Sequence, residues 1–170
     1  RASSWARRKA GRLRDVTVGA AGQARNIGHM DKHTPDDVHV RPRDIHFDVE
    51  AARRGHWLGG DPVGTAVFNA LSLTFPDGER MFIDAVKNYR SELSGKLADD
   101  VKGFIAQEAV HAREHHTLNQ VIDRDRYPVS EVEDFIRGRV AYGRSRGPMP
   151  MLLSTIALEH FTAMMAEVHA

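Results

Sequence analysis

One helical stripe in this chain carries an acid and two imidazoles where apolar side chains belong. Leu97, Val101, Phe104, Ile105, Leu118 and Ile122 recur at the three-to-four spacing of a single helix face. Continuing that count between Ile105 and Leu118 lands on Glu108, His111 and His115. Burying such groups unpaired costs several kcal/mol each. A bound metal ion is the commonest way to make the stripe tolerable, because it supplies the charge that the carboxylate needs. The segment therefore reads as half of a metal site built inside a helix bundle.

The spacing by itself is weak. Glu-x-x-His arises by chance about once in every two chains of this composition, and a solvated pair on a helix surface is the plainer reading of it. Placement on the apolar stripe changes the balance. So does Glu159, in the middle of Met151-Leu-Leu-Ser-Thr-Ile-Ala-Leu-Glu159-His160-Phe-Thr-Ala-Met-Met-Ala. That run is apolar nearly all round, which predicts a helix enclosed by others and an acid that needs a partner inside.

Composition limits the alternatives. A chain of 170 residues with 41% hydrophobic and 28% charged residues suits one soluble globular domain. The net charge of +1 offers no electrostatic case for nucleic acid. The absence of Cys excludes disulfides, thiolate zinc sites and Cys nucleophiles. With no apolar run of the roughly 18 residues that span a bilayer and no cleavable signal pattern, a cytoplasmic protein is expected. The first residue is Arg rather than Met, so the chain reads as a fragment.

Residues 1–40 stand apart. Arg1, Arg7, Arg8, Lys9, Arg12 and Arg14 make the start basic, and few large apolar residues follow. This composition predicts a mobile tail, with a cationic arm as the sharper alternative. His29, His33, His39 and His46 match no common zinc spacing. Arg43-Asp-Ile-His-Phe-Asp-Val49 alternates and predicts a short extended lead-in.

Helices are predicted over 61–94, 97–125, 130–142 and 148–168. Asp61-Pro62 is an N-cap followed by Pro at the first helical position. Pro76 and Gly78 should end or kink the first helix. If it continues, its stripe runs through Phe75, Glu79, Phe82, Ile83 and Val86, and Glu79 points inward as Glu108 does. Ser130-Glu-Val-Glu133 is a capping box, and 143–150 reads as a loop. Trp57 and Tyr89 read as core, His116 as solvated, and the Met residues near the C-terminus as core filling.

Carboxylate-bridged di-metal sites in four-helix bundles take one Glu from each of two helices and Glu-x-x-His from each of the other two. The order Glu79, then Glu108 with His111, then Glu159 matches three helices of that plan. Carboxylate oxygens with an imidazole suit iron or manganese, two ions in the complete site, with zinc as the alternative. A fourth helix bearing a second Glu-x-x-His is expected to follow, so the bundle reads as truncated before its last core helix. An open face, raised pKa values at Glu108 and Glu159, weak metal binding and self-association are the expected consequences.

Phe75-Pro-Asp-Gly-Glu79-Arg-Met-Phe, Phe104-Ile-Ala-Gln-Glu108-Ala-Val-His111-Ala-Arg-Glu-His115 and Ala157-Leu-Glu159-His160-Phe-Thr-Ala163 resemble signature blocks of the bacterial predicted metal-dependent hydrolase family. The resemblance spans roughly Arg41 to Ala166. It implies an all-α, ferritin-like helical bundle over 41–170. It also implies that Glu79, Glu108, His111 and Glu159 ligate metal, with His115 and His160 as ligands or their supports.

Three functions compete. The first is an O₂-activating oxidoreductase with a di-iron or Fe/Mn centre. The second is a hydrolase in which metal-activated water loses its proton to a free carboxylate such as Glu114, with His111 and His115 as an i,i+4 zinc pair and Glu108 at the reaction centre. The third is a non-catalytic metal-storage bundle. A small-molecule substrate and a possible homo-oligomer complete the expectations.

Overall fold

Capping and backbone hydrogen bonding set the helix boundaries. A computed structural model describes residues 37–168. The basic tail expected over residues 1–40, with His29 and His33, therefore lies almost entirely outside the described residues. Helix α1, Pro62–Lys87, begins where the Asp61 carboxylate accepts the Val63 N–H at 2.9 Å and Pro62 occupies the first turn.

Pro76 and Gly78 do not end α1, which runs through both as the span predicted over 61–94 requires. Pro76 has no N–H, so the Ser72 carbonyl loses the donor that an ordinary residue would supply. Asn119 of the next helix replaces it, its Nδ2 donating to the Ser72 carbonyl at 3.1 Å. The Ser72 hydroxyl donates in turn to Asn119 Oδ1 at 2.7 Å. A side chain from a neighbouring helix repairs the proline defect, and the helix carries Glu79 inward beyond it.

Helix α2 spans Gly95–Asn119, α3 Val129–Ser145 and α4 Pro148–Val168. Short 3-10 turns occupy Glu50–Arg54 and Arg90–Glu92, and no strand forms among the described residues. The second helix ends earlier than expected because the Asp123 carboxylate accepts the amides of Asp125 and Arg126, folding that stretch as a turn. The loop expected over 143–150 shrinks to Arg146 and Gly147. Gly147 supplies a positive φ of 95° for the reversal, and Pro148 starts α4 at once.

Helix α1 is the hub. It packs along α2 most extensively and also against α3 and α4, while α3 touches α4. One core joins Met81, Phe82 and Ala85 of α1 to Val140 of α3 and Met151 of α4. A second joins Leu73 to Ile122 and Val129. Each large side chain so buried contributes about 1.5–3 kcal/mol.

Helix α4 corrects one expectation. Its all-round apolar sequence predicts enclosure, yet Leu153, Ile156, Leu158, Phe161 and Met164 are exposed. With α1 and α3 covering one side, Met151 and Thr155 are buried and Glu159 follows on the same stripe, half-buried. No helix among the described residues is long and apolar enough to cross a membrane.

Residues 38–48 form an extended strap along α2. Lys96 Nζ donates to the Val38 carbonyl at 2.6 Å, Arg113 to the Ile45 carbonyl at 3.1 Å, and the Phe47 N–H to Glu114 at 3.0 Å. The directions agree in length: nine extended residues cover about 30 Å, and eighteen helical residues about 27 Å. Gly103 makes the approach possible, since a Cβ there would lie 2.1 Å from the Val40 carbonyl oxygen.

Gly103→Val should lift the strap from α2, read as faster proteolytic cleavage between residues 38 and 48. Asn119→Ala should destabilise the fold by about 1–3 kcal/mol in denaturant unfolding, because it leaves the buried Ser72 carbonyl without a donor and the Ser72 hydroxyl with His115 alone. An unchanged midpoint would show that the Pro76 repair does not matter.

Candidate metal centre

The buried face of α1 is unusually polar. Thr65, Asn69, Ser72, Pro76 and Glu79 follow one another at helical spacing and are all buried. Thr65 Oγ1 accepts the Leu58 N–H at 3.2 Å, Asn69 Oδ1 accepts Trp57 Nε1–H at 2.9 Å, and Ser72 is held by Asn119. Glu79 breaks the series. Its residue is 2% exposed, and its Oε2 is buried with no hydrogen-bond partner.

Glu108 of α2, also 2% exposed, faces Glu79. Ligand atoms of Glu79, Glu108 and His111 lie within 4.8 Å of one another. His111 Nδ1 stands 3.9 Å from Glu79 Oε1 and 3.9 Å from Glu108 Oε1. These separations are too long for hydrogen bonds. They would count as ion pairs only with a charged imidazole, and burial, then the Arg43 charge, lower the His111 pKa. Two acids thus converge with no Lys or Arg ion pair of their own among the described residues, and the Arg80 charge offsets Glu79 only in part.

Burial, then Glu108 and Glu159, raise the Glu79 pKa to about 8. Burial, then Glu159, raise Glu108 to about 7, and burial raises Glu159. The donor set fits a divalent ion. Metal–ligand bonds of about 2 Å place adjacent ligand atoms roughly 3–3.5 Å apart, so small side-chain movements close these three groups around one.

The remaining expected residues separate. Glu159 of α4 lines the same cavity and its charge reaches both Glu79 and Glu108, but it is not part of the tight triad. His115 lines the cavity with its ring stacked on Phe75, the centroids 4.2 Å apart. His160 is exposed on α4 and does not line the cavity.

Glu114, expected as a free carboxylate base, is occupied. It accepts the Phe47 N–H at 3.0 Å and an Arg113 N–H at 2.8 Å, and these bonds lower its pKa. It fastens the strap to α2. A carboxylate so stabilised as an anion is a poor proton acceptor.

Hydrogen bonding fixes the His115 tautomer. Asn119 must turn its Nδ2 toward the Ser72 carbonyl, so its Oδ1 takes the Ser72 hydroxyl proton. Ser72 Oγ, 3.0 Å from His115 Nδ1, can then only accept, and Nδ1 carries the proton. Burial, then His111, push the His115 pKa down to about 4. The ring is neutral, with the lone pair on Nε2. Ser72 and Asn119 escaped sequence reasoning, although Ser72 falls on the Glu79 stripe. Nothing local marks Asn119, because its role depends on a proline in another helix.

The cavity, of about 640 Å³, lies between the strap, α1, α2 and α4. This volume falls in the range of small-molecule sites. Ile45, Phe47, Val49, Phe75, Phe82 and Leu118 are among its apolar lining, and all three residues of the triad line it too. A family model described as predicted metal-dependent hydrolase matches residues 41–170. No curated protein and no solved structure matches the chain.

Metal uptake should release protons with a definite sign. The metal-free fold favours neutral Glu79 and Glu108, whose stabilisation is fully present below the ordinary carboxyl pKa near 4.5 and is lost as pH rises through about 7 and about 8. A divalent ion requires both anions. Zinc titrated calorimetrically at about pH 6 in buffers of different ionisation enthalpy should release between one and two protons per ion from the two carboxyl groups, a contribution that vanishes above about pH 9. Uptake without proton release at pH 6 would contradict the triad as ligand set.

Proposed function

The chain belongs to the predicted metal-dependent hydrolase family, and on that premise we propose that it hydrolyses a small acyl compound at a divalent ion held by Glu79, Glu108 and His111. The orphaned, fully buried Glu79 Oε2 beside a second buried acid carries this reading. An uncompensated carboxylate pair is tolerable when protonated and becomes favourable when a cation binds.

A bound divalent ion lowers the pKa of coordinated water and polarises a carbonyl. The chain supplies the rest. Two carboxylates and one imidazole are three protein ligands, which leaves a position open for water or substrate. We assign one ion to the triad. The two-ion plan needs Glu159 and a further donor, and no such set is brought within the same distance among the described residues.

Glu159 takes the proton-accepting role that Glu114 cannot fill. It faces the triad from α4, and burial raises its proton affinity. Water loses one proton to Glu159 while its oxygen bonds to the acyl carbon. The bond to the leaving alcohol or amine then breaks, and that group receives the proton. Neutral His115 presents Nε2 as an acceptor for a substrate N–H or O–H. Ser72 and Asn119 hold its tautomer.

The oxidoreductase reading draws only on the number of carboxylates near one another, and the family description points to hydrolysis instead. Zinc or manganese reconstitution followed by assays on p-nitrophenyl esters and acyl amides decides between them. Glu79→Gln, Glu108→Gln and His111→Ala should each lose metal and turnover together. Glu159→Gln should hold metal with kcat reduced about 10²–10⁴-fold. A near-ultraviolet absorption band formed on adding Fe(II) and air, with no hydrolysis under any metal, would replace this reading with oxidation.

A further inference from the structure

The strap has a two-residue period from Arg43 to Phe47. Arg43, Ile45 and Phe47 line the cavity, joined at its end by Asp48 and Val49, where Asp48 Oδ1 accepts the Glu50 N–H. The alternate residues face α2, where Asp44 pairs with Arg113 at 2.7 Å and His46 approaches Glu114 at 3.4 Å. Backbone bonds at Ile45 and Phe47 lock this register. Arg43 is therefore placed by its neighbours and not by any bond of its own side chain.

Arg43 is the only Lys or Arg among the described residues that line the cavity. Asp44 and Glu114 are both engaged by Arg113, and Asp48 accepts the Glu50 N–H; no ion pair of Arg43 forms among the described residues. An exposed cation at the edge of an apolar pocket, near the His111 side of the triad, is a ready partner for an anion. Its charge is felt at His111. The two carboxylates of the triad line the same cavity, so the metal-loaded site would add a second cation to an apolar pocket.

We propose that Arg43 is a specificity-determining residue, and that the site takes an amphipathic acyl compound with an apolar body and one anionic group paired to the Arg43 guanidinium. This rests on the hydrolase reading given above. The apolar body packs against Ile45, Phe47 and Phe75 while the anion stays at the mouth, where a guanidinium binds carboxylate, sulfonate or phosphate oxygens in bidentate fashion. Neutral and cationic molecules of the same length lose that partner.

The test uses 1-octanesulfonate, a permanent anion that coordinates metals poorly, against 1-octanol and octyltrimethylammonium, each titrated calorimetrically into the full zinc-treated chain. Octanesulfonate should bind about tenfold more tightly than octanol, and octyltrimethylammonium more weakly than either. Arg43→Ala should bring the sulfonate-to-octanol ratio to about one, Arg43→Lys should keep part of it, and Arg43→Glu should invert it. Circular dichroism should be unchanged in all three, because the side chain bears no structural bond.

A ratio near one in the native chain, or a preference that survives Arg43→Ala, overturns the assignment. Inorganic sulfate binding as tightly as octanesulfonate overturns the amphipathic class. Zinc content is measured on the same samples. Failed zinc uptake with the Arg43-dependent preference intact would remove the metal reading and leave the anion site standing.

Discussion

The buried Glu79 carboxylate is the constraint around which the rest is arranged. An acid at 2% exposure with an unpartnered oxygen cannot remain charged without a cation close by. The fold brings a second acid, Glu108, to the same place, which makes ionisation harder still and a divalent ion correspondingly more useful. Every other polar residue on that face of α1 has a partner. The exception marks the site.

Placing Glu79 there requires α1 to continue past a proline. The missing N–H of Pro76 would leave a buried carbonyl unsatisfied, and Asn119 supplies the donor from α2. The same amide orients Ser72, and Ser72 fixes the proton on His115 Nδ1. A backbone repair and the tautomer of a cavity histidine are thus one hydrogen-bond network. Helix continuity, the pairing of α1 with α2 and the chemistry of the site depend on it together.

The strap closes the site by a different device. It adds no strand, since α2 offers side chains rather than a backbone edge. Lys96, Arg113 and Glu114 bind its main chain, and Gly103 lets it lie close. Glu114 is consumed in this way, which explains why a carboxylate one turn from His111 of the triad is not available as a base. Another acid of the cavity, Glu159, comes from α4 and has no such competing bond among the described residues.

Much of this was legible in the sequence because it depends on local periodicity. The 3.6-residue repeat of α2 put Glu108, His111 and His115 on its apolar face, the Asp61-Pro62 cap located the start of α1, and the alternation of 43–49 indicated an extended segment. Glu79 and Glu108 converge as the stripes imply. Contacts between elements decided the remainder. Local sequence at Pro76 signals a break, and only Asn119 from another helix removes it. The composition of α4 predicts enclosure, yet a helix is buried only where neighbours cover it, and among the described residues α1 and α3 cover one side. Glu114 and His160 share their sequence blocks with the triad, but tertiary placement ties one to the strap and leaves the other exposed. Sequence sets which face of a helix a side chain occupies; what that face meets is set by the packing of other elements, and a carboxylate becomes a ligand, a base or a clasp according to the partner it meets there.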